Sequence, residues 1–268
     1  MLKDITLGQY FPGNSVAHKL DPRTKILLVT LYIIALFSAK GLVGYAVMIA
    51  TLAACVKVSH VGLKSLVRGL KPLVVIIVFT GVLNVFFTPD THYLWEWGIL
   101  RISVKGVENA LFMVVRIMLL VMGTFLMTYT TSPIRLTDGL EFLLNPLKKI
   151  HVPVHELAMM MAIALRFIPT LIEETDKIMS AQKARGADFE SGSLFQKAKA
   201  LVPILVPLFI SAFRRADELA TAMECRCYHG GEGRTKLHVL KYQRRDYVAL
   251  TGGAVILVLV VVLRKLGA

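Results

Sequence analysis

The chain carries the stretch Asp176-Lys-Ile-Met-Ser-Ala-Gln-Lys-Ala-Arg-Gly186, and a similar stretch, Asp217-Glu-Leu-Ala-Thr-Ala-Met-Glu-Cys-Arg-Cys227, follows 41 positions later. When Arg185 is superimposed on Arg226, the leading aspartates of the two stretches also coincide. A proline-containing apolar segment lies upstream of each stretch. The sequence therefore predicts two similar helices with an arginine at each tip. Two such tips are expected to contact two similar partners, or the two halves of one dimer.

The composition places the chain in a membrane. Its 268 residues are 55% hydrophobic, with a mean hydropathy of +0.62, which is too apolar for an ordinary soluble domain. A helix needs roughly 20 mainly apolar residues to cross the hydrocarbon core. Because residues 1–24 are polar and mixed, we expect no cleavable signal peptide. The apolar stretches predict about five spans, near residues 25–39, 42–58, 72–87, 107–128 and 247–263.

Lysines and arginines collect before the first predicted span and between the second and third. Positive loops stay on the cytoplasmic side, so we expect both regions and the long stretch from about 131 to 246 to be cytoplasmic. The loop with Asp90, His92, Trp95, Glu96 and Trp97 is then outside. We interpret the formal charge of +13 as a sign of topology. Without basic and aromatic residues interleaved on a recognisable module, no nucleic-acid partner is expected.

The sequence predicts an all-α membrane protein in three parts. Residues 1–130 hold the N-terminal segment and transmembrane helices 1–4, residues 131–245 form a cytoplasmic coupling domain, and residues 246–268 form a C-terminal transmembrane helix. The coupling domain is expected to contain about three long helices. The first begins at the Ser132-Pro133 cap, the second spans 155–185 with an interruption at Pro169, and the third spans about 195–227.

An arginine at a helix tip offers five donors in a fixed fork that suits a carboxylate, and it remains charged at any cellular pH. Gly186 is expected to end the first helix in a left-handed cap, which leaves Arg185 at the end of a rigid helix. A cation there also complements the helix dipole. The pairing of Arg185 with Arg226 favours a binding role over two ordinary solvated side chains.

Several segments resemble one known family. They are His18-Lys-Leu-Asp-Pro-Arg-Thr-Lys25, Leu165-Arg-Phe-Ile-Pro169 and the two arginine motifs. The chain is similar over nearly its whole length to the transmembrane T component of energy-coupling factor (ECF) transporters. That resemblance implies that Ala184-Arg185-Gly186 and Cys225-Arg226-Cys227 dock into grooves on two ATPases of the ATP-binding-cassette type. The first motif matches the usual Ala-Arg-Gly, whereas the second keeps only the arginine, which leaves open how its helix ends.

The resemblance further implies a scaffold in the bacterial plasma membrane, with no catalytic residues of its own. ATP and Mg²⁺ would bind the partner ATPases, and the chain itself would hold no cofactor. Gly230-Gly-Glu-Gly-Arg-Thr-Lys236 lacks the Gly-Lys pair of a phosphate loop. The motion would pass to a separate substrate-binding membrane subunit, the S component, for vitamin uptake. Structural or coupling roles are expected for seven residues: Asp21, Pro22, Arg23, Arg166, Pro169, Asp176 and Asp217.

Other clusters point less clearly to a function. Cys225, Cys227 and His229 lack the spacing of a common zinc site, and the group of His151, His155 and Glu156 lacks the His-Glu-x-x-His order, so no metal site is expected. Arg116 lies in a predicted span, where an ionisable residue is a functional candidate. Glu108, about two turns earlier, is its candidate partner. The methionines at 159–161 suit either packing or an exchangeable partner.

Three alternative functions stay open. Within the family, a dedicated cobalt or nickel permease is the closer alternative. A stand-alone secondary transporter would need a polar substrate path through discontinuous spans, often within an inverted repeat, yet the visible repeat lies in the predicted cytoplasmic part. An intramembrane enzyme would need a nucleophile or a metal cluster inside the spans, and none stands out there.

Overall fold

The computed structural model describes residues 10–88, 93–97, 100–189, 193–231 and 239–266. Helices dominate these residues, which confirms the predicted all-α class. They are α1 (Val16–Lys19), α2 (Pro22–Ser38), α3 (Gly41–Ser59), α4 (Leu63–Leu70), α5 (Val74–Phe87), α6 (Val104–Thr130), α7 (Pro133–Leu144), α8 (Val154–Ala184), α9 (Leu194–Glu224) and α10 (Arg244–Lys265). The described parts of Leu140–Val239 form one compact unit, the helix-pair unit. Those of Gly8–Gly139 and Leu240–Ala268 form another, the bundle unit.

Among the described residues, five helical segments are long and apolar enough to cross a membrane, so the chain is a multi-pass membrane protein. They are α3, the segment Leu63–Phe87 that joins α4 to α5, α6, α8 and α10. Four of these segments each contain a predicted span. The predicted first span falls in α2 instead, which has only 17 residues and is not among the five. By length and composition α8 qualifies instead, since its first half is almost entirely apolar.

The buried core of the bundle unit brings α2, α3, α4, α6 and α10 together. Tyr32 of α2 donates from its hydroxyl to the Leu119 carbonyl of α6 at 3.0 Å. A side chain at Gly123 would collide with the Tyr32 ring, so the glycine permits this approach of the two helices. The core residues are Ala35, Leu36, Ala39, Tyr45, Met48, Leu52, Val56, Val61, Leu66, Leu119, Tyr129 and Val260.

A short hairpin replaces the predicted loop before α6. Strand β1 (Tyr93–Trp97) pairs antiparallel with β2 (Leu100–Ser103), and Trp97 lies opposite Leu100. Aromatic and β-branched residues favour strands, and this loop is rich in aromatics. Of the residues singled out in that loop, Asp90 and His92 lie outside the described residues.

The intramembrane arginine has a different partner from the one expected. Arg116 donates from Nε to the Tyr45 hydroxyl at 2.8 Å, and its guanidinium lies 5.8 Å from the centre of the Phe37 ring. The predicted pairing with Glu108 is wrong, since no ion pair joins the two side chains among the described residues. Arg116 of α6 instead contacts a phenol on α3 and an aromatic ring on α2.

A buried polar network fixes the start of α2 against the start of α10. The Asp21 backbone N–H donates to Asp246 Oδ1 at 2.8 Å, and the other oxygen of that carboxylate accepts from the Gln243 backbone at 2.8 Å. Arg23 donates from Nε and Nη2 to the two Asp21 oxygens, at 3.0 and 2.9 Å. Its guanidinium carbon lies 4.1 Å from the centre of the Tyr242 ring. The charges are buried, yet each has partners that offset its desolvation.

The two members of the ion pair shift one another's titration. Burial alone would raise the pKa of the Asp21 carboxyl, but the hydrogen bonds and the charge of Arg23 outweigh burial and hold this pKa below its ordinary value. The hydrogen bond to Asp21 raises the pKa of Arg23. Lys25, two residues on, donates to the Thr130 carbonyl at 2.8 Å and so ties α2 to the end of α6.

Replacing Asp21 by Asn should give a pH-dependent loss of stability. A carboxyl with a lowered pKa stabilises the folded state above its ordinary value of 3.8, and this contribution disappears as the pH falls through the lowered pKa. We therefore expect Asp21→Asn to lower the thermal midpoint in detergent at about pH 7, and the difference from wild type to shrink toward about pH 3. Asp217→Asn, at an exposed aspartate, is the control. A difference that is equal at both pH values would contradict the ion-pair account.

Candidate functional site: two arginine-tipped helices

Helix α8 runs through Pro169 without a break. The predicted interruption there is wrong, since the helix extends from Val154 to Ala184 with the proline inside it. Proline removes one backbone donor and crowds the preceding turn, but a long helix keeps its remaining hydrogen bonds on both sides. In the first turn, His155 Nδ1 lies 3.0 Å from Glu141 Oε1 of α7. This contact joins the start of α8 to α7.

Helix α9 repeats the plan of α8. It begins with a capping box, in which Ser193 accepts from the Gln196 backbone and the Gln196 side chain accepts from the Ser193 backbone. Pro203 and Pro207 lie inside the helix. Both helices have 31 residues, which corresponds to a length of about 46 Å each.

The tip of α8 is a Schellman motif. Gly186 has a φ of +86°, and its backbone N–H donates to the Lys183 carbonyl at 3.0 Å. The next N–H, of Ala187, donates to the Gln182 carbonyl at 3.0 Å. These two bonds satisfy carbonyls that the end of a helix leaves without partners. The left-handed cap predicted at Gly186 is confirmed, and Arg185 is the last residue before the chain turns.

The tip of α9 has the same hydrogen bonds without a glycine. Cys227 has a φ of +57°, and its N–H donates to the Glu224 carbonyl at 2.8 Å. The Tyr228 N–H donates to the Met223 carbonyl at 3.1 Å. The last turn of the helix thus continues through Arg226 to a cysteine in the left-handed region. The sequence left this ending open because a cysteine rarely takes this conformation.

The two tips are therefore equivalent, residue for residue, at the 41-position offset of the repeat. Arg185 and Arg226 each immediately precede the left-handed residue. All six residues of the two motifs, 184–186 and 225–227, are exposed. No hydrogen bond or ion pair engages either guanidinium within the described part of the chain. Each tip thus presents an unpaired arginine fork on a fixed helix end, an arrangement suited to a carboxylate.

A polar contact joins α8 to α9 between their prolines and their tips. Glu174 of α8 accepts through Oε2 from Arg215 Nη2 of α9 at 2.8 Å, and its other oxygen accepts from the Ser211 hydroxyl. The ion pair is only partly exposed, with 22% of the Glu174 side chain and 35% of the Arg215 side chain open to solvent.

The position of this contact follows the repeat. Glu174 and Arg215 are themselves 41 residues apart, so each is the repeat equivalent of the other. Each tip arginine lies eleven residues beyond its member of the pair, or about 16 Å along its helix. Each helix thus extends the same length from the contact to an arginine, so the two tips are matched in reach as well as in chemistry.

The other predicted residues are not part of the tip motifs. Arg166, Pro169 and Asp217 are exposed, and Asp176 is half-buried. The structure brings Asp21 and Arg23 together in the bundle unit, and Pro22 is the first residue of α2. Four further residues, Glu174, Ser211, Arg215 and Asp246, were not predicted from the sequence. The 41-residue offset between opposite charges was the available signal for Glu174 and Arg215.

Changing the two left-handed residues should have opposite effects. An L-residue with a side chain in this region costs roughly 1–2 kcal/mol, so Gly186→Ala should loosen the end of α8. Cys227→Gly should tighten the end of α9 by about 1 kcal/mol or less. Hydrogen exchange of the amides at 183–187 and 224–228 measures both effects. Gly62→Ala is the matched control, since Gly62 has a φ of −64° and open space around it.

Exchanging the charges of the contact between the helices tests whether the pair holds α8 to α9. Glu174→Arg places two cations together and should lower the thermal midpoint by about 2–4 °C. Adding Arg215→Glu restores opposite charges and should recover most of the loss. Glu173→Arg, at the exposed neighbouring glutamate, is the control. Additive losses in the double variant would show that the pair does not couple the helices.

Comparisons with known proteins identify the family of the chain. The family model described as CbiQ, a cobalt transport protein, matches residues 13–237. A protein of Ruminiclostridium cellulolyticum, described as energy-coupling factor transporter transmembrane protein EcfT, is 52% identical over 265 residues, which cover 99% of this chain and 98% of that protein.

Proteins with the same description give similar matches in two further species. The one from Clostridium kluyveri is 56% identical over 250 residues, which cover 93% of each chain. The one from Bacillus subtilis is 46% identical over 264 residues, which cover 98% of this chain and 100% of that protein. Because these matches extend over nearly the whole length, the chain belongs to the CbiQ family, the transmembrane T components of energy-coupling factor transporters.

Proposed function

We propose that the chain is the non-catalytic coupling subunit of an ATP-driven importer. Its two arginine tips bind two ATPases of the ATP-binding-cassette type, and its helices transmit their motion to a membrane-embedded S component that carries a vitamin. The observation that supports this most directly is the equivalence of the tips, in which Arg185 and Arg226 occupy the same position of the same Schellman motif.

The proposed contact at each tip is a charge-assisted hydrogen bond. A guanidinium on a capped helix end loses little freedom on binding, so a small contact can fix the position of an ATPase. The ATPases bind ATP with Mg²⁺ and hydrolyse the ATP, and this chain supplies no cofactor. In this proposal the tips lie in the cytoplasm, which the clusters of lysine and arginine near the predicted membrane ends support.

Coupling requires contacts that differ between the nucleotide states of the ATPases. Two tips of equal reach, joined through Glu174 and Arg215, would follow two ATPases as they approach or separate. The motion is then transmitted to the half of each helix that precedes the contact between Glu174 and Arg215. Exposed apolar side chains in this half suit contact with a partner. On α9 these include Val206, Phe209, Ile210 and Phe213, and on α8 they include Met160 and Met161. We assign this apolar surface to the S component.

A dedicated cobalt permease is the second candidate. It is favoured by the description of the matching family model as a cobalt transport protein. The two candidates share the ATPase contacts and differ in the small membrane protein that co-purifies. Identification of that protein therefore separates a vitamin system from a cobalt or nickel system.

The test is co-purification of the tagged full-length chain, expressed with its native neighbours, in detergent. Arg185→Glu together with Arg226→Glu should reduce the recovered ATPases by about tenfold or more, because a carboxylate then faces a carboxylate. Each single variant should lose part of the ATPase and uncouple ATP hydrolysis from uptake. Wild-type recovery of the ATPases and normal uptake in the double variant would contradict the proposal.

A matched control uses cations on the same helices. Lys177→Glu together with Arg214→Glu changes the charge equally at exposed sites away from the tips, and ATPase recovery should persist. The exposed thiols of Cys225 and Cys227 add a direct readout. Maleimide labelling of these thiols should fall when the ATPases are bound, whereas labelling of Cys55 in α3 should not change. Equal labelling with and without ATPases would place the contact elsewhere.

A further inference from the structure

Helix α4 and the turn that follows it carry a stripe of cations. Lys64, Arg68 and Lys71 are spaced four and three residues apart, and α4 continues into a 3₁₀ turn at Lys71–Leu73. With 3.6 residues per turn, the three side chains lie within an arc of about 60°. Leu66 and Leu70 are buried on the opposite side. The segment is therefore an amphipathic helix with a basic edge.

These three cations have no acidic partner among the residues that the structure describes. All three are exposed. They differ in this respect from Arg23 and Arg215, each of which pairs with a carboxylate. Three unpaired positive charges on one edge produce a local potential that attracts an anion.

An apolar groove begins at this basic edge. Its volume is about 610 Å³, within the range of about 300–1,000 Å³ that is typical of ligand pockets. Besides the three cations, its walls include Val67 of α4, Val74, Ile77 and Val78 of α5, and Val114 and Met118 of α6. One end of the groove is thus cationic and the rest is apolar.

The groove is continuous with an exposed apolar surface. It lies along Leu63–Phe87, one of the segments long and apolar enough to cross a membrane. On the same segment Val75, Ile76 and Phe79 are 76%, 56% and 62% exposed. A molecule with a charged end and an apolar body can enter from the bilayer without crossing water. Basic pockets between transmembrane helices bind anionic lipid head groups.

We propose that this groove is a binding site for one anionic glycerophospholipid. Lys64, Arg68 and Lys71 hold the phosphate and the remaining charge of the head group, and an acyl chain lies against Val74, Val78 and Val114. A zwitterionic lipid is disfavoured because its head group brings a further cation to three cations that already lack a partner. The site is separate from the arginine tips and does not depend on the ATPases.

The test is native mass spectrometry of the purified full-length chain after incubation with equimolar dioleoyl phosphatidylglycerol and dioleoyl phosphatidylcholine. Wild type should retain one phosphatidylglycerol in preference to phosphatidylcholine. Lys64→Gln, Arg68→Gln and Lys71→Gln together should reduce that retention by about tenfold or more, since each cation near an anionic lipid contributes separately. The triple variant Lys177→Gln, Lys199→Gln and Arg214→Gln removes the same charge at exposed sites elsewhere, and should retain the lipid.

A second pair of variants tests the apolar part without changing charge. Val78→Trp fills the groove and should also reduce retention, whereas Val75→Trp, on the same helix but outside the groove, should not. Gel filtration and thermal midpoints check that every variant is folded. Wild-type retention in the Lys64, Arg68 and Lys71 variant, equal loss in both triple variants, or unchanged retention in Val78→Trp would each overturn the proposal. Retained lipid with loss of a co-purifying membrane protein would assign the groove to that protein instead.

Discussion

The ion pair between Glu174 and Arg215 is the contact that makes two separate helices a matched pair. The cluster of buried hydrophobic residues draws its members from the bundle unit, and α9 leaves Phe209 and Phe213 exposed. Among the described side chains of α8 and α9, the hydrophobic residues Val154, Ala158 and Ile204 are buried, fewer than in the bundle unit, so hydrophobic burial specifies less here than it does there. A bidentate acceptor that binds one guanidinium and one hydroxyl specifies a single register, which apolar sliding surfaces would not.

The repeat explains why that register produces equal tips. Glu174 and Arg215 occupy equivalent positions of the repeat, and their contact joins the two repeated helices at those positions. Beyond the contact, each helix continues for eleven residues to an arginine, with Asp176 and Ala181 of α8 matched by Asp217 and Ala222 of α9. The two helices also end in the same way. The hydrogen bonds of the two Schellman motifs agree, although Cys227 stands where the first motif has Gly186. The end of α9 thus keeps the geometry of the motif without glycine, the residue that most favours it.

The sequence predicted those features that depend on local rules. Gly186 is the residue that a left-handed cap favours, and the lengths of α8 and α9 followed from apolar stretches and caps. The sequence did not predict the features that depend on contacts between residues far apart in the chain. Arg116 contacts Tyr45, 71 residues away, and no spacing rule indicates that choice. Pro169 marks a possible break, but whether a helix continues depends on the hydrogen bonds around it. The ending at Cys227 was hidden because propensity alone disfavours it.

The two units use buried polarity and exposed polarity differently. In the bundle unit, Asp21, Arg23 and Asp246 are 7%, 2% and 1% exposed, and their mutual bonds fix α2 against α10. Buried charges with complete partners tolerate little rearrangement, because any shift leaves one of them unpaired. In the helix-pair unit, the tip arginines are exposed and unpaired among the described residues. An arginine without a partner inside its own chain binds an external partner without breaking an internal contact. The exposed tips are therefore the parts suited to binding other subunits.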